Sequence, residues 1–499
     1  MKRLKGRIIS RTIGIVFIVI SLLVTFISFQ KSTQQVCVFP AGSTIAFVDV
    51  GGLDQEQARM KLSSVYEKPI QIQLGNSSFY FSNEQIGLVI HYDEMVSQLD
   101  CGFENQFSSF WSYVWNQSKN EVSSIDLLFS LNEEVLSSTI HEQIKPYVTL
   151  EPSPAKPIPG TTRFEPGLSG VTFNQDELVN RIKQESTQIN KNIIQLELTQ
   201  ISAPPPTIEQ ITDQIRSIVM KEDFSGVVEI YAERVSDHQK IQILNWYGEE
   251  KEPGVAFTAA STMKIPIMIS TYWREDVPLS EMIEDWIEYM IVYSENDPAD
   301  RLMEQIDAIR GPLLVTNDIQ SLGLENSFIA GYFYLGAPLL NLYETPANQR
   351  SDAFIDPDVY NQTTPEDIGK LLSMIYDCSI NSSATLILET QGKITQEECN
   401  LSIETLALNK MGALIEAGLP EGLKIAHKHG WSQERDGLVH SFSDVGIVYA
   451  PEEDFVLAVF TYSPNQLLFD IANPLIARIS QTIYNGFNPN NQIAWPFPE

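Results

Sequence analysis

A serine and a lysine stand three residues apart in a segment of small and apolar residues. Ser261 and Lys264 follow Ala259 and Ala260 and precede the apolar run 265–269. At the start of a helix this spacing places both side chains on one face, so the lysine nitrogen can reach the hydroxyl. Serine is a weak nucleophile, and a buried, partly deprotonated lysine is one way to activate it. The pair therefore predicts a nucleophilic serine with a lysine base.

The same spacing occurs twice more in the chain, so the motif alone is weak evidence. Ser28 and Lys31 end an N-terminal apolar segment, and Ser153 and Lys156 lie in a proline-rich stretch. The alternative interpretation of Ser261 is a solvent-facing serine on an ordinary helix. The small and apolar residues around it favour the chemical interpretation.

Two further polar elements follow Ser261 in the chain. Ser294 and Asn296 come after an apolar, helix-like segment, which fits a loop that inserts polar groups into a cleft or, alternatively, an ordinary turn. Lys428 lies in a strand-like segment that continues through 429–431. A lysine in a buried strand is unusual unless its charge has a task, such as pairing with a carboxylate.

The C-terminal part of the chain predicts an α+β domain. A mostly helical middle, 261–417, is enclosed by strands from both ends, which predicts an antiparallel sheet flanked by helices with an inserted helical subdomain. A last helix is expected near Asn473, with Pro474 in its first turn. The predicted strands are 227–231, 241–246, 425–431, 445–449 and 455–461.

Taken in order, these elements resemble the penicillin-recognising serine enzymes, and most closely their class A β-lactamase branch. The segment 293–297 stands where the family has Ser-Asp-Asn, 428–430 stands where it has Lys-Thr-Gly, and 363–365 matches its Thr-Thr-Pro helix start. The resemblance covers residues 210–487, within a hydrolase domain that we place at 210–490.

The resemblance implies a role for each matched residue. Lys264 would deprotonate Ser261, the backbone amides of Ser261 and Trp431 would form the oxyanion hole, and Ser294 would pass a proton to the leaving nitrogen. No metal or organic cofactor is implied. The expected substrate-binding residues are Asn296, Asn348, Lys428, His429, Gly430 and Trp431.

The resemblance also implies a glutamate that directs water onto the acyl ester. Glu344 and Asn348 form a Glu-x-x-x-Asn segment upstream of the Thr-Thr-Pro helix, and Glu344 is the candidate; the alternative is an ordinary surface glutamate. Two departures affect the expectation. His429 replaces the hydroxyl that normally helps to hold the substrate carboxylate, and the short gap between Ser261 and Ser294 implies a more open cleft.

Two rival chemistries find less support. His427 and His429 are two apart on a strand, so they point to the same side and could bind zinc together with His440. However, no residue that could be the third ligand, His440 included, has the spacing found in zinc enzymes. A conventional Ser-His-Asp hydrolase of the nucleophile-elbow type needs Gly-x-Ser-x-Gly, which is absent.

The N-terminus predicts a membrane anchor. Five basic residues within 1–11 precede the uncharged, mostly apolar segment 12–29, which is about the minimum length for a spanning helix. The basic flank places the N-terminus in the cytoplasm and the rest of the chain outside. A cleaved signal peptide is the alternative, but no small-x-small cleavage site follows Phe29.

An extracytoplasmic location allows disulfides. The four cysteines are an even number, and Cys378 with Cys399 and Cys37 with Cys101 are the expected pairs. Four unrelated buried thiols are the alternative.

The region 38–203 predicts a smaller α+β domain, separated from the hydrolase domain by the proline linker 204–209. A helix followed by a strand occurs twice in it, at 54–64 with 70–74 and at 174–183 with 193–198. The phrases 40–46 and 48–53 resemble the peptidoglycan-binding modules found beside VanW-type proteins. An exported spacer domain is the alternative.

Length and charge limit the remaining function classes. The chain has 499 residues and a net charge of −31, so phosphate backbones repel it and nucleic acid is excluded as a partner. The sequence thus predicts a membrane-anchored, extracytoplasmic serine hydrolase that acts on β-lactams or peptidoglycan stem peptides, with cell-wall glycan as a further partner. A peptidoglycan DD-peptidase or transpeptidase, and an inactive cell-wall-binding protein, are the alternatives.

Overall fold

The computed structural model describes residues 2–33, 38–99, 123–222, 224–434 and 436–494. The chain divides into two compact units, each formed from two segments. The first unit comprises Met1–Pro152 and Ser169–Ser202, and the second comprises Ser153–Leu168 and Ala203–Glu499. The segment 153–168 therefore belongs to the second unit, although it lies within the region that the sequence placed in the N-terminal domain.

The first unit mixes short strands and helices around two hydrophobic cores. Its helices are Lys2–Thr33, Gln55–Tyr66, Tyr92–Gln98, Glu133–Thr139, Lys145–Val148 and Gln175–Ser186, with a π-helical turn at Ile140–Ile144. Its strands are Thr44–Ile45, Val48–Asp49, Ile70–Leu74, Ser77–Phe81, Leu88–Ile90, Ser124–Ile125, Phe129–Leu131, Gly170–Thr172, Ile194–Leu196 and Thr199–Ile201.

Both predicted helix-then-strand pairs are present in this unit. Gln55–Tyr66 precedes Ile70–Leu74, and Gln175–Ser186 precedes Ile194–Leu196. The two strands lie side by side in parallel, with Ile194 opposite Ile72. Alternation explains the packing, because every second residue of the first strand points into the core.

The N-terminal helix contains the segment 12–29 that the sequence predicts as an anchor. The helix runs from Lys2 to Thr33, and its apolar side chains between Ile13 and Ile27 are exposed. In the part of the chain that the structure describes, no helix is both long enough and apolar enough to cross a membrane. The anchor stays a prediction.

The second unit is built on a six-stranded antiparallel sheet. The strand order is Glu249–Lys251, Lys240–Trp246, Val227–Arg234, Phe455–Tyr462, Ser441–Val448 and Ile425–Gly430. Strands from both ends of the unit form one sheet, as the sequence predicts. The strand Ile425–Gly430, called the edge strand below, ends the sheet on one side.

Helices cover both faces of this sheet. One hydrophobic core lies between the sheet and the inserted helical part, and the second lies under the first and last helices of the unit. The helices are Ile208–Lys221, Lys264–Tyr272, Glu281–Ile291, Asn296–Ile306, Gly311–Ser321, Pro365–Ile380, Thr385–Glu389, Gln396–Ala407 and Phe469–Phe487, with single 3-10 turns at Ala260–Met263 and Glu416–Gly418. The short strands Lys156–Pro157, Phe164–Glu165, Phe257–Thr258, Phe328–Ile329 and Asn361–Thr363 complete the unit.

The start of the last helix differs from the prediction. It begins at Phe469, so Pro474 lies inside the helix and not in its first turn. The prediction used the proline as a start signal, but Ala472 before it and Leu475 after it both pack into the core, so the helix begins about one turn earlier.

The segment Ser153–Leu168 adds a short hairpin to the second unit. Phe164 is buried in its core, and the Thr162 hydroxyl donates to Gln481 Oε1 at 2.7 Å. The Gln214 amide donates to the carbonyl of Ile158 at 2.7 Å. These tertiary contacts place the segment in the second unit. The proline content of the segment did not indicate them.

A disulfide joins Cys378 and Cys399, as predicted, and links helices Pro365–Ile380 and Gln396–Ala407. The Cα atoms are 6.0 Å apart. Cys37 and Cys101 lie outside the described residues, so the second bridge stays a prediction.

We expect the double variant Cys378→Ser, Cys399→Ser to lose about 3 kcal/mol of unfolding free energy, because the bridge closes a loop of 21 residues and restricts the unfolded chain. Urea unfolding of oxidised protein measures the difference. Reductant should lower the midpoint of the wild type by more than that of the variant, which keeps Cys37 and Cys101; equal midpoints for the two oxidised proteins would contradict the expectation.

Candidate active site

Ser261 lies on a one-turn 3-10 helix, Ala260–Met263, that leads into the helix Lys264–Tyr272. Ala260 has a left-handed φ of 47°, and its amide donates to Asn361 Oδ1 at 2.7 Å. The Thr262 hydroxyl donates to the carbonyl of Ala259 at 2.7 Å. These bonds fix the turn, called the nucleophile turn below. The Ser261 hydroxyl itself has no hydrogen bond within the described part of the chain, so it is available to a substrate.

Lys264 is completely buried beneath this turn. Its ammonium nitrogen donates to the carbonyl of Ser294 at 2.6 Å and to Asn296 Oδ1 at 2.8 Å. The ring of Phe333 lies over it, with the nitrogen 5.3 Å from the ring centre. Burial, followed by the charge of Lys428, lowers the pKa of Lys264 to about 7. The amine can therefore lose its proton near neutral pH, as a base for Ser261 must.

Ser294 connects the two lysines. It lies between the helices Glu281–Ile291 and Asn296–Ile306 with a left-handed φ of 60°. Its carbonyl accepts from Lys264, and its hydroxyl accepts from Lys428 Nζ at 2.9 Å. The structure thus brings Lys264, Ser294, Asn296 and Lys428 together in one hydrogen-bonded chain.

The edge strand carries Lys428 to this site. Lys428 is fully buried, and burial lowers its pKa to about 8, with Asp444 opposing the shift. Gly430 makes the approach possible: a Cβ there would lie 3.0 Å from the carbonyl oxygen of Ala259 and 3.2 Å from Thr262 Cγ2. The end of the edge strand therefore lies directly against the nucleophile turn.

His427 supports the edge strand from its other face. Its Nδ1 lies 3.0 Å from Asp444 Oδ1, and its Nε2 lies 3.1 Å from the carbonyl of Asn409. Both partners are acceptors, so both ring nitrogens carry protons. Burial opposes the charge, yet Asp444 raises the pKa of His427 overall. A ring with both nitrogens protonated has no lone pair for zinc.

The other proposed zinc ligand, His440, is held elsewhere. Its ring nitrogens lie 2.9 Å from the carbonyl of Ser463 and 2.9 Å from Asp436 Oδ2. Among the described residues no group of three His, Cys, Asp or Glu side chains has the arrangement of a metal site.

His429 and Trp431 form a stacked pair at the end of the edge strand. Their ring centres are 4.7 Å apart with planes 19° from parallel. Burial and the charge of Lys428 lower the pKa of His429 to about 3, so the ring is neutral. His429 Nδ1 lies 3.4 Å from Asn409 Nδ2, and Trp431 keeps part of its surface exposed.

Glu344 and Asn348 lie apart from this chain of contacts. Glu344 is exposed, and no hydrogen bond or ion pair joins it to Ser261, Lys264 or Ser294 among the described residues. The side chain of Asn348 is already hydrogen-bonded. It accepts from the amide of Thr345 in its own loop at 2.9 Å and donates to Gln362 Oε1 on the strand Asn361–Thr363 at 3.0 Å. The role of Glu344 as a base stays a prediction.

Three residues of the site went unnoticed in the sequence. Phe333 covers Lys264, Asn361 holds the nucleophile turn, and the carboxylate of Asp300 accepts from the amide of Phe333 at 2.7 Å. Only Asp300 had a signal: it lies four residues after Asn296 and so on the same helix face.

Comparison with known proteins agrees with the expected fold. Residues 275–487 match the model of the β-lactamase enzyme family, a segment that begins after Ser261 and Lys264. No curated protein matches the chain. This match supports the prediction of a β-lactamase-like serine hydrolase.

Three solved structures that are similar to this chain share 17–19% sequence identity with it. A class A β-lactamase from Bacteroides cellulosilyticus has 18% identity and a TM-score of 0.41, covering 57% of this chain and 99% of its own. PBP-A has 19% identity, the same coverage and a TM-score of 0.41. A class A β-lactamase from Mycobacterium abscessus has 17% identity and a TM-score of 0.39, covering 56% of this chain and 99% of its own.

We expect Lys428→Met to move the acidic limb of the pH–rate profile for Ser261 acylation upward by about 1 pH unit. The variant removes the positive charge that helps to lower the pKa of Lys264, so the neutral amine forms only at higher pH. Acylation by a chromogenic β-lactam measured from pH 5 to about pH 9 reports the limb.

Ser294→Ala is the matched control. It removes the hydroxyl that Lys428 contacts but no charge, so the maximum rate should fall while the limb stays in place. A limb that moves equally in both variants would show that the shift does not come from the charge of Lys428.

Proposed function

We propose that Ser261 forms an acyl-enzyme with amide bonds of the penicillin or peptidoglycan type. The observation that carries the proposal is the buried Lys264 amine, which follows Ser261 by one helical turn and has a pKa near 7 because of burial. An exposed lysine would hold its proton at this pH and could not act as a base.

The surrounding groups fit the steps that such a reaction needs. Neutral Lys264 takes the proton of Ser261, and the backbone amides of Ser261 and Trp431 bind the developing oxyanion. Ser294 hands a proton to the leaving nitrogen, since its hydroxyl lies 2.9 Å from Lys428 Nζ and can be resupplied from there. Lys428, His429 and Gly430 line the side where the substrate binds.

Release of the acyl group is the step that the site supports least. The side chain that packs over Lys264 is the ring of Phe333, which cannot take a proton from water. Glu344 is exposed and makes no hydrogen bond or ion pair with Lys264 among the described residues. We therefore propose that the enzyme hydrolyses β-lactams, but slowly.

The same observation favours a second candidate function. An enzyme that acylates readily and hydrolyses slowly suits a peptidoglycan DD-peptidase or transpeptidase, in which Ser261 takes the acyl part of a stem peptide and the terminal amino acid leaves as the amine. An inactive cell-wall-binding protein remains the third alternative, and loss of labelling in a Ser261 variant separates it from both enzymes.

We propose further that the catalytic unit lies outside the cell, held by a membrane anchor at 12–29. The basic residues before this segment and the Cys378–Cys399 disulfide support the proposal, because disulfides persist in oxidising compartments. Cell-wall binding by the region 38–203 rests on the sequence resemblance.

We expect a fluorescent penicillin to label the wild type covalently and to leave Ser261→Ala unlabelled. Lys264→Met should acylate at least about 10²-fold more slowly, because the base is lost. Ser153→Ala is the matched control, since Ser153 and Lys156 share the same spacing without the buried surroundings. Labelling of Ser261→Ala at the wild-type rate would contradict the assignment.

The lifetime of the penicillin adduct tests the release step. If Glu344 is the base, as the sequence predicts, Glu344→Gln should lengthen the lifetime; its exposed position without contacts to the site favours an unchanged lifetime instead. Phe333→Glu should shorten the lifetime by about 10²-fold, because a carboxylate over Lys264 can activate water. Mass spectrometry of the intact protein after removal of free penicillin measures both. A longer-lived adduct in Glu344→Gln would instead assign the base to Glu344.

A further inference from the structure

Asp300 is a buried carboxylate close behind the site. It lies on the helix Asn296–Ile306 and is 6% exposed. Its two oxygens accept from the backbone amides of Phe333, at 2.7 Å, and of Tyr334, at 2.9 Å. No ion pair within 4.0 Å involves Asp300 in the described part of the chain, so two neutral amides are its main partners.

The backbone that Asp300 holds carries the ring that covers Lys264. Phe333 is fixed through its amide, and its ring centre lies 5.3 Å from Lys264 Nζ. A carboxylate that accepts two adjacent backbone amides fixes the direction of the chain at that point. The position of the ring thus depends on a side chain from the same helix that supplies Asn296, a hydrogen-bond partner of Lys264.

Asp300 also acts on Lys264 through its charge. Burial and Lys428 lower the pKa of Lys264, while Asp300 and, to a smaller extent, Glu295 raise it. The other groups that contact the amine, the Ser294 carbonyl and the Asn296 amide, are neutral. Asp300 is therefore the strongest negative influence on the base.

The charge of Asp300 itself depends on pH. Burial raises its pKa to about 6, its two amide bonds oppose the shift, and Glu304 and Asp297 on its own helix add to it. The facing segment, 333–334, contributes amide donors and no charge. At neutral pH the carboxylate form prevails, so its charge is present when Lys264 acts.

We propose that Asp300 is a positioning residue for acyl transfer: its carboxylate holds the Phe333–Tyr334 backbone so that the ring covers Lys264, and its charge stabilises the ammonium form of Lys264. The proposal rests on the proposed function of Ser261. It assigns a role to a residue that does not touch the substrate.

Asp300→Asn is the test. The amide keeps the shape but loses the charge, so the acidic limb of the acylation profile should move to lower pH by about 1 unit, while the maximum rate falls because the Phe333 segment is held less firmly. If the role of Asp300 is purely structural, the maximum rate of acylation should fall while the acidic limb of the profile stays at the same pH. Asp300→Ser, which can still accept one amide, carries the same test if the asparagine variant does not fold.

Asp367→Asn is the matched control. Asp367 is also a buried carboxylate, accepting from the amide of Asn326 at 2.8 Å and from the Ser327 hydroxyl at 3.0 Å, but it does not act on Lys264. We expect this variant to be less stable with its limb in place. A limb that stays in place in Asp300→Asn, or moves equally in Asp367→Asn, overturns the proposal.

A second readout does not depend on catalysis. Nitrogen-15 NMR of lysine-labelled protein, with Lys264→Met assigning the signal, follows the titration of Lys264 directly. The midpoint should fall in Asp300→Asn even if the wild type forms no acyl-enzyme. Absence of labelling in the wild type would refute the proposed function, whereas an unmoved Lys264 midpoint would refute the role of Asp300.

Discussion

The burial of two ammonium groups, those of Lys264 and Lys428, is the constraint on which the site depends. Removing a charged amine from water costs several kcal/mol unless the protein supplies compensating contacts. Here the compensation is mainly neutral oxygen: the Ser294 carbonyl and Asn296 amide for one lysine, and the Ser294 hydroxyl for the other. No carboxylate lies within ion-pair distance of either nitrogen among the described residues, so both pKa values fall toward neutrality.

The architecture makes this arrangement possible by placing the edge strand at a boundary. Successive side chains of a strand point to opposite faces, so Lys428 faces the helical core and His427 faces the layer under the last helix. The His427–Asp444 pair anchors the second face, and Asp444 acts on Lys428 only through its charge, without a hydrogen bond to it among the described residues. Gly430 then allows the strand to meet the nucleophile turn.

Short-range patterns predicted the parts of the molecule that local sequence determines. Short, mostly apolar runs located the long strands of the second unit, and the apolar surroundings separated Ser261 from two other Ser-x-x-Lys occurrences. Long-range packing decided the rest. Nothing local distinguishes Phe333 from any other aromatic residue, because its role comes from an amide held by Asp300 across 33 residues of chain. The hairpin 153–168 was missed for the same reason.

The charge distribution around Ser261 bears on what happens after acylation. In the proposed reaction, forming the acyl-enzyme needs a base that is neutral near pH 7 and a proton donor for the leaving nitrogen, and the two buried lysines and Ser294 are suited to supply them. Hydrolysis needs in addition a group that accepts a proton from water, and the ring of Phe333 occupies the space over Lys264 instead. An incoming amine is a stronger nucleophile than water and can lose its proton after it has attacked, so it depends less on a general base in the attacking step. If Ser261 is acylated as proposed, the neutral lysine base and the apolar ring of Phe333 thus favour an amine over water as the acceptor of the acyl group, which is the reaction of the second candidate function.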